Sequence, residues 1–160
     1  MPIQRLARLS DIIFAVAMTI LAIVFAPVSM DNISPDIAAQ TLWQQLPGLG
    51  IYALTFITLA FYWFTHVNQF KYYQKTDAVH TFLNLLGLLF VVLFTYASDL
   101  LGAYEGIFAI NLFYSLAAIG VGIFSTAAWI YGTQNRRLVA ADLSGSEERR
   151  VGKECRSRWS

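Results

Sequence analysis

Arg5, Asp11, His66, His80 and Asn84 are the side chains best suited to polar chemistry in this chain, and all fall at one end of three otherwise apolar segments. Arg5, Ser10 and Asp11 open the first segment. His66 lies about one turn before Lys71 in the second, and His80 and Asn84 open the third. Residues three, four or seven apart share a helix face. Trp63, His66 and Phe70 therefore line one face of the second segment, and His80 and Asn84 one face of the third. Polar groups at matched depth on different helices suit hydrogen bonding between helices, worth roughly 0.6 kcal/mol per contact in a membrane. Taken singly, each is an interfacial side chain whose polar head reaches toward water, and Arg5 is best read that way. Asp11 is open to two readings: a helix cap with Ser10, or a carboxylate with a buried partner. Two histidines on neighbouring antiparallel helices also permit a haem sandwich, although Phe64, Phe70 and Phe82 crowd the space beside them.

A second pattern lies within the first segment. Ile12, Val16, Thr19 and Ile23 are spaced by four, three and four residues, which places them on one helical face. One reading is a packing face, with Thr19 bonding back to its own backbone. The other is the lining of a wet lumen, in which aliphatic rings narrow and dewet the path while Thr19 offers an oxygen. Asn111 and Ser115, four apart, and the small residues Ala117, Ala118, Gly120 and Gly122 read as helix-packing devices.

These side chains need helices to carry them. The chain has 160 residues, 57% hydrophobic and only 13% charged, against about 25% charged in an average protein. Four apolar runs, Leu9 to Val28, Leu49 to Phe70, Val79 to Leu101 and Ile107 to Tyr131, each reach the ~20 residues that cross a hydrocarbon core. They lack the strict alternation of barrel strands, and inside lipid the backbone must satisfy itself, so they are helices. The expected fold is all-α: a polytopic integral membrane bundle of about four transmembrane helices. The first run is read as a span, not a cleaved leader, because further apolar runs follow it.

Charge sets the orientation. Arg5, Arg8, Lys71, Lys75, Arg136 and Arg137 all flank one side, whereas the connections on the other carry Asp31, Asp36 and Glu105. The positive-inside rule makes the basic side, and both termini of the four-span unit, cytoplasmic. Within the outer connection, Ser34-Pro35-Asp36 reads as the start of a short interfacial helix that stops at Pro47-Gly48, with Trp43 at headgroup depth. Residues 1–140 form the expected transmembrane domain. Residues 141–160, polar and aperiodic, are expected to be disordered and non-native.

Several function classes lack support. A net charge of +1 gives no reason to expect nucleic-acid binding. The single Cys155 cannot form an internal disulfide. No CxxCH, HExxH or GxGxxG motif occurs, so neither an enzyme nor a resident metal or cofactor is expected.

Arg5, Leu9, Ser10 and Asp11, followed by FAVAMTILAI, resemble the RxxxFSD signature that opens the first helix of the transmembrane protein 175 family of potassium channels, in its prokaryotic branch. Trp63 with His66, and the run Leu83-Asn84-Leu85-Leu86, are similar to that family in the same order. The resemblance runs from Arg5 to about Leu138, with Leu9 in place of the family's Phe. It implies a homotetrameric potassium-permeable channel in the prokaryotic plasma membrane, with the first helix of each subunit around the axis and K+ as the permeating ion. It places the constriction at Val16, with Thr19 and Ile23 as further lining beside Ile12. It implies a structural network of Arg5, Ser10 and Asp11 with Trp63, His66 and Asn84. Val16 is smaller than the family's usual residue there, which implies a wider and less selective pore. Family members carry more spans per unit than the four read here, so the chain is expected to be truncated. The competing expectation is a non-conducting membrane anchor, or a haem-bearing subunit of a larger complex.

Overall fold

The computed structural model describes residues 2–23, 35–104, 106–134 and 138–139. Four helices account for nearly all of them: α1 (Ile3–Ile23), α2 (Pro35–Phe70), α3 (Ala78–Ala103) and α4 (Phe108–Thr133). The fold is all-α, and among the described residues one isolated antiparallel bridge, Tyr73 with Val139, is the sole extended pairing. Three stretches are long and apolar enough to cross a membrane: Trp43–Phe70, Ala78–Ala103 and Phe108–Thr133. α1 stands apart from them, with Arg5, Arg8 and Asp11 in its first half.

The outer connection departs from the expected short helix. α2 runs through Pro47 without a break and is 36 residues long, about 54 Å at 1.5 Å per residue. A proline inside a helix removes one backbone bond and costs about 3 kcal/mol. Ending the helix there would require a second, unfavourable nucleation and would free several backbone groups close to lipid. The expected cap Ser34 and the tail from Asp142 lie outside the described residues.

α3 is the central element, packing on α1, α2 and α4. Its buried face follows His80, Asn84, Leu88, Val91, Thr95 and Ser98, advancing by three or four residues at a time, with Phe94 and Ala97 buried beside them, as one helical stripe must. Against Leu88, Val91, Phe94 and Ala97 pack Phe14, Ala17 and Leu21 of α1, Leu59 of α2, and Ala117 and Val121 of α4. Lipid tails are as apolar as leucine, so close packing holds such helices together and small residues favour it. Gly120 is the clearest case, because a Cβ there would overlap the ring of Phe90.

Asp77 starts α3: its carboxylate accepts a hydrogen bond from the His80 amide at 2.8 Å. The other carboxylate oxygen accepts from the Tyr131 hydroxyl at 2.7 Å, tying this start to the end of α4. A second small core completes the same end. Tyr73, Leu138 and Val139 are buried together, with Ile3, Phe70, Trp129 and Tyr131 packed around them. The Gln74 amide donates to the Leu138 carbonyl at 2.9 Å, and the Leu138 amide donates to Gly132 at 3.1 Å. The start of α1, the α2–α3 link and the chain after α4 therefore meet at one end, which also carries Lys71 and Lys75.

Candidate functional site

α1 has two sharply different faces. Leu6, Ser10, Phe14, Ala17 and Leu21 are buried against the rest of the chain. The stripe of Ile12, Val16 and Ile23 points away from it, with exposures of 60, 50 and 65%. Thr19 is also exposed. Its hydroxyl donates to the Ala15 carbonyl at 2.7 Å. That back-bond satisfies the hydrogen and leaves oxygen lone pairs facing outward, the arrangement a hydroxyl needs if it is to meet a cation. Ile12 and Val16 also border an apolar groove of about 300 Å³ between α1 and α3, with Ile20, Val92, Tyr96 and Asp99 on its other walls.

The polar residues at the foot of α1 separate into distinct contacts. Asp11 accepts a hydrogen bond from the Trp63 indole at 3.0 Å, which links α1 to α2. Ser10 is fully buried and donates to the Leu6 carbonyl at 3.0 Å, within its own helix. Arg5 is exposed, and among the described residues no hydrogen bond joins it to Asp11, Trp63, His66 or Asn84. The His66 ring lies against Phe70 at 4.3 Å and Phe14 at 5.9 Å between centroids.

Asn84 belongs to a different row. Its amide nitrogen donates to the His80 carbonyl at 2.8 Å, which fixes the orientation of the carboxamide. The same nitrogen lies 3.3 Å from His80 Nε2, which must then accept. His80 is therefore the neutral Nδ1–H tautomer, and Nδ1 donates to Thr76 Oγ1 at 2.9 Å. Thr81 donates to the Asp77 carbonyl at 2.8 Å, so its oxygen accepts from Thr76 at 3.2 Å. Both His80 nitrogens are thus engaged, by Asn84 and by Thr76.

The helix order, the charged foot of α1 and its uncovered aliphatic stripe set the frame for comparison with known proteins. A family profile described as "Endosomal/lysosomal potassium channel TMEM175" matches residues 5–94, more than half of the chain. The chain belongs to the TMEM175 family. That family is one of ion channels, not an enzyme class, and the apolar helices make this member a multi-pass membrane protein. A chicken (Gallus gallus) relative named "Endosomal/lysosomal proton channel TMEM175" is 27% identical over 147 residues, covering 90% of this chain and 28% of the relative. A Streptomyces collinus relative named "Potassium channel B446_29190" is 26% identical over 138 residues, covering 84% of this chain and 66% of the relative. The chain thus spans about a quarter of the first and just under two thirds of the second.

Within this TMEM175 member, two features escaped the sequence analysis. Thr55 of α2 is fully buried, with its oxygen 2.8 Å from Ser98 of α3 and 3.0 Å from Tyr114 of α4. Three hydroxyls on three helices meet at one point, but no spacing within any one segment reveals a contact made between segments. The second is Tyr73, whose hydroxyl donates to the Ala128 carbonyl at 3.2 Å and is pushed up in pKa by burial. The signal available for its neighbour Asp77 was local: an Asp one residue before an apolar run is a cap signature.

Proposed function

We propose that the chain is a subunit of a potassium-permeable cation channel whose pore is lined by α1. The observation that carries this reading is the uncovered stripe of Ile12, Val16, Thr19 and Ile23, opposite the packed face of a helix with a charged foot. An exposed apolar stripe alone would suit lipid equally well. Two things favour a lumen: the family, and an outward-facing hydroxyl oxygen in the middle of the stripe. The subunits gather as a homotetramer, with four copies of Val16 at the narrow point and Thr19 and Ile23 beyond it. A ring of aliphatic side chains admits the ion that sheds its water more cheaply, K+ before Na+, and the threonine oxygens soften that loss. The basic end faces the cytoplasm of a prokaryotic plasma membrane. Asp11 with Trp63 holds the foot of α1 against α2.

Flux from liposomes containing the reconstituted protein tests this. Substituting Thr19→Ala or Val16→Ala shifts the K+/Na+ permeability ratio; an unchanged ratio in both variants removes the lining assignment. H+ flux belongs in the same assay, because the chicken relative is named as a proton channel.

A further inference from the structure

His66 is 8% exposed, and its Nε2 atom is buried without a hydrogen-bond partner, the sole such side-chain atom among the described residues. Buried polar atoms of this kind are rare and call for a specific explanation, an ordered water among them. Its ring neighbours are the apolar Phe70 and Phe14, which offer it no hydrogen bond. His66 instead lines a partly open cavity of about 20 Å³ among the four helices, which Phe14, Tyr62, Asn84 and Ser125 also line. Roughly 10–15 Å³ accommodates one water molecule, which then needs two to four polar partners. A dry cavity of this size would be lined by aliphatic and aromatic groups alone.

The polar groups around it have capacity to spare. Asn84 spends its amide nitrogen on His80, leaving its carboxamide oxygen as an acceptor. Ser125 reaches only Gln69 Oε1, at a long 3.5 Å. Tyr62 donates to the Ala118 carbonyl at 3.0 Å and keeps its oxygen lone pairs.

We propose that this cavity is a binding site for a single water molecule, bonded to His66 Nε2 and to the Asn84–Ser125 side of the cavity. The water completes a hydrogen-bonded row that begins at Thr76 in the α2–α3 link, passes through His80 and Asn84, and ends on the ring that abuts Phe14 of the pore-lining helix. It supplies the partner that the helices themselves withhold from His66. The proposal stands on local geometry and does not depend on what passes through the pore.

The chain holds two histidines, so histidine-selective ¹⁵N labelling on a uniformly ¹³C-labelled full protein in lipid bilayers gives a simple ¹⁵N solid-state NMR spectrum. Sequential correlations to Thr65 and Val67, or to Val79 and Thr81, assign each ring without any substitution. The expected result is transfer of magnetisation from water to His66 Nε2 at short mixing times, with a chemical shift in the hydrogen-bonded range. His80 serves as the reference, with Nδ1 protonated and Nε2 accepting. A His66 Nε2 that receives nothing from water and resonates as an unbonded nitrogen overturns the proposal, and the cavity is then dry.

Discussion

Thr55 shows how much one buried hydroxyl can hold. It donates to the Ile51 carbonyl at 2.8 Å while sitting within bonding distance of Ser98 and Tyr114. Thr55→Val keeps the shape and removes the oxygen, leaving the buried Ser98 hydroxyl and the half-buried Tyr114 hydroxyl short of a partner, at about 1–3 kcal/mol. Chemical denaturation in detergent micelles checks this, and Thr55→Ser should recover most of the loss. Trp63→Phe removes a single exposed bond to Asp11, so its cost should be smaller, at most about 0.6 kcal/mol. Tyr73 predicts an alkaline effect. Burial raises its pKa in the folded chain, so the stability it contributes is fully present below the unfolded value of about 10 and is lost as pH rises above it. Unfolding midpoints measured from pH 8 to 11 should fall at the top of that range, and less steeply in Tyr73→Phe.

At the scale of elements, the helices were legible because length and composition alone decide them in lipid. Three of the four apolar runs reappear as helices with ends moved by a few residues, and Pro35 opens α2 as its position suggested. The Pro47-Gly48 stop misled, because a soluble-protein turn signal was applied where the membrane penalises a broken backbone. On α1 the stripe was legible from spacing, since period alone separates Val16 from Ala17. Family likeness, not spacing, offered Trp63 as a partner for the charged foot of α1, and the Trp63 indole donates to Asp11. Placing Arg5 and Ser10 with them needed knowledge of which way each side chain points around the helix, and sequence spacing does not supply the rotation of one helix against another. Leu138 and Val139 went unread for a similar reason: a short apolar pair after a helix looks like any other pair until the surface that receives it is known. Glycines give the test of how tightly the elements fit. Gly120→Ala would drive a methyl into Phe90, and Gly132→Ala one into Tyr73. Each should cost about 1–3 kcal/mol. Gly87→Ala meets Phe124 Cβ at 3.6 Å, an ordinary contact, and should leave the unfolding midpoint almost unchanged.

At the scale of the whole molecule, one chain covers only half of its first helix. The proposed channel covers the other half with further copies, a consequence separable from stability. Val16→Phe adds bulk on a half-exposed position, so the unfolding free energy should stay within about 0.5 kcal/mol while K+ flux from liposomes collapses. A variant that folds and conducts as before would place that stripe against lipid. Leu138 tests the opposite end. It is 3% exposed in the small core at the basic end, and Leu138→Ala should cost about 2–5 kcal/mol, read as a lower unfolding midpoint.

The uninterrupted α2 has a mechanical corollary. Its stretch Trp43–Phe70 rises about 42 Å, which matches the ~40–45 Å of a bilayer with its headgroups. Residues 35–42 extend α2 by about 12 Å beyond that apolar stretch. Because α2 continues through Pro47 as one helix, a lean of about 10° over its full length would displace its tip by about 9 Å. In the proposed tetramer, a spin label on Gln40 would turn that displacement into a distance between copies, and so report the posture of the bundle without touching α1.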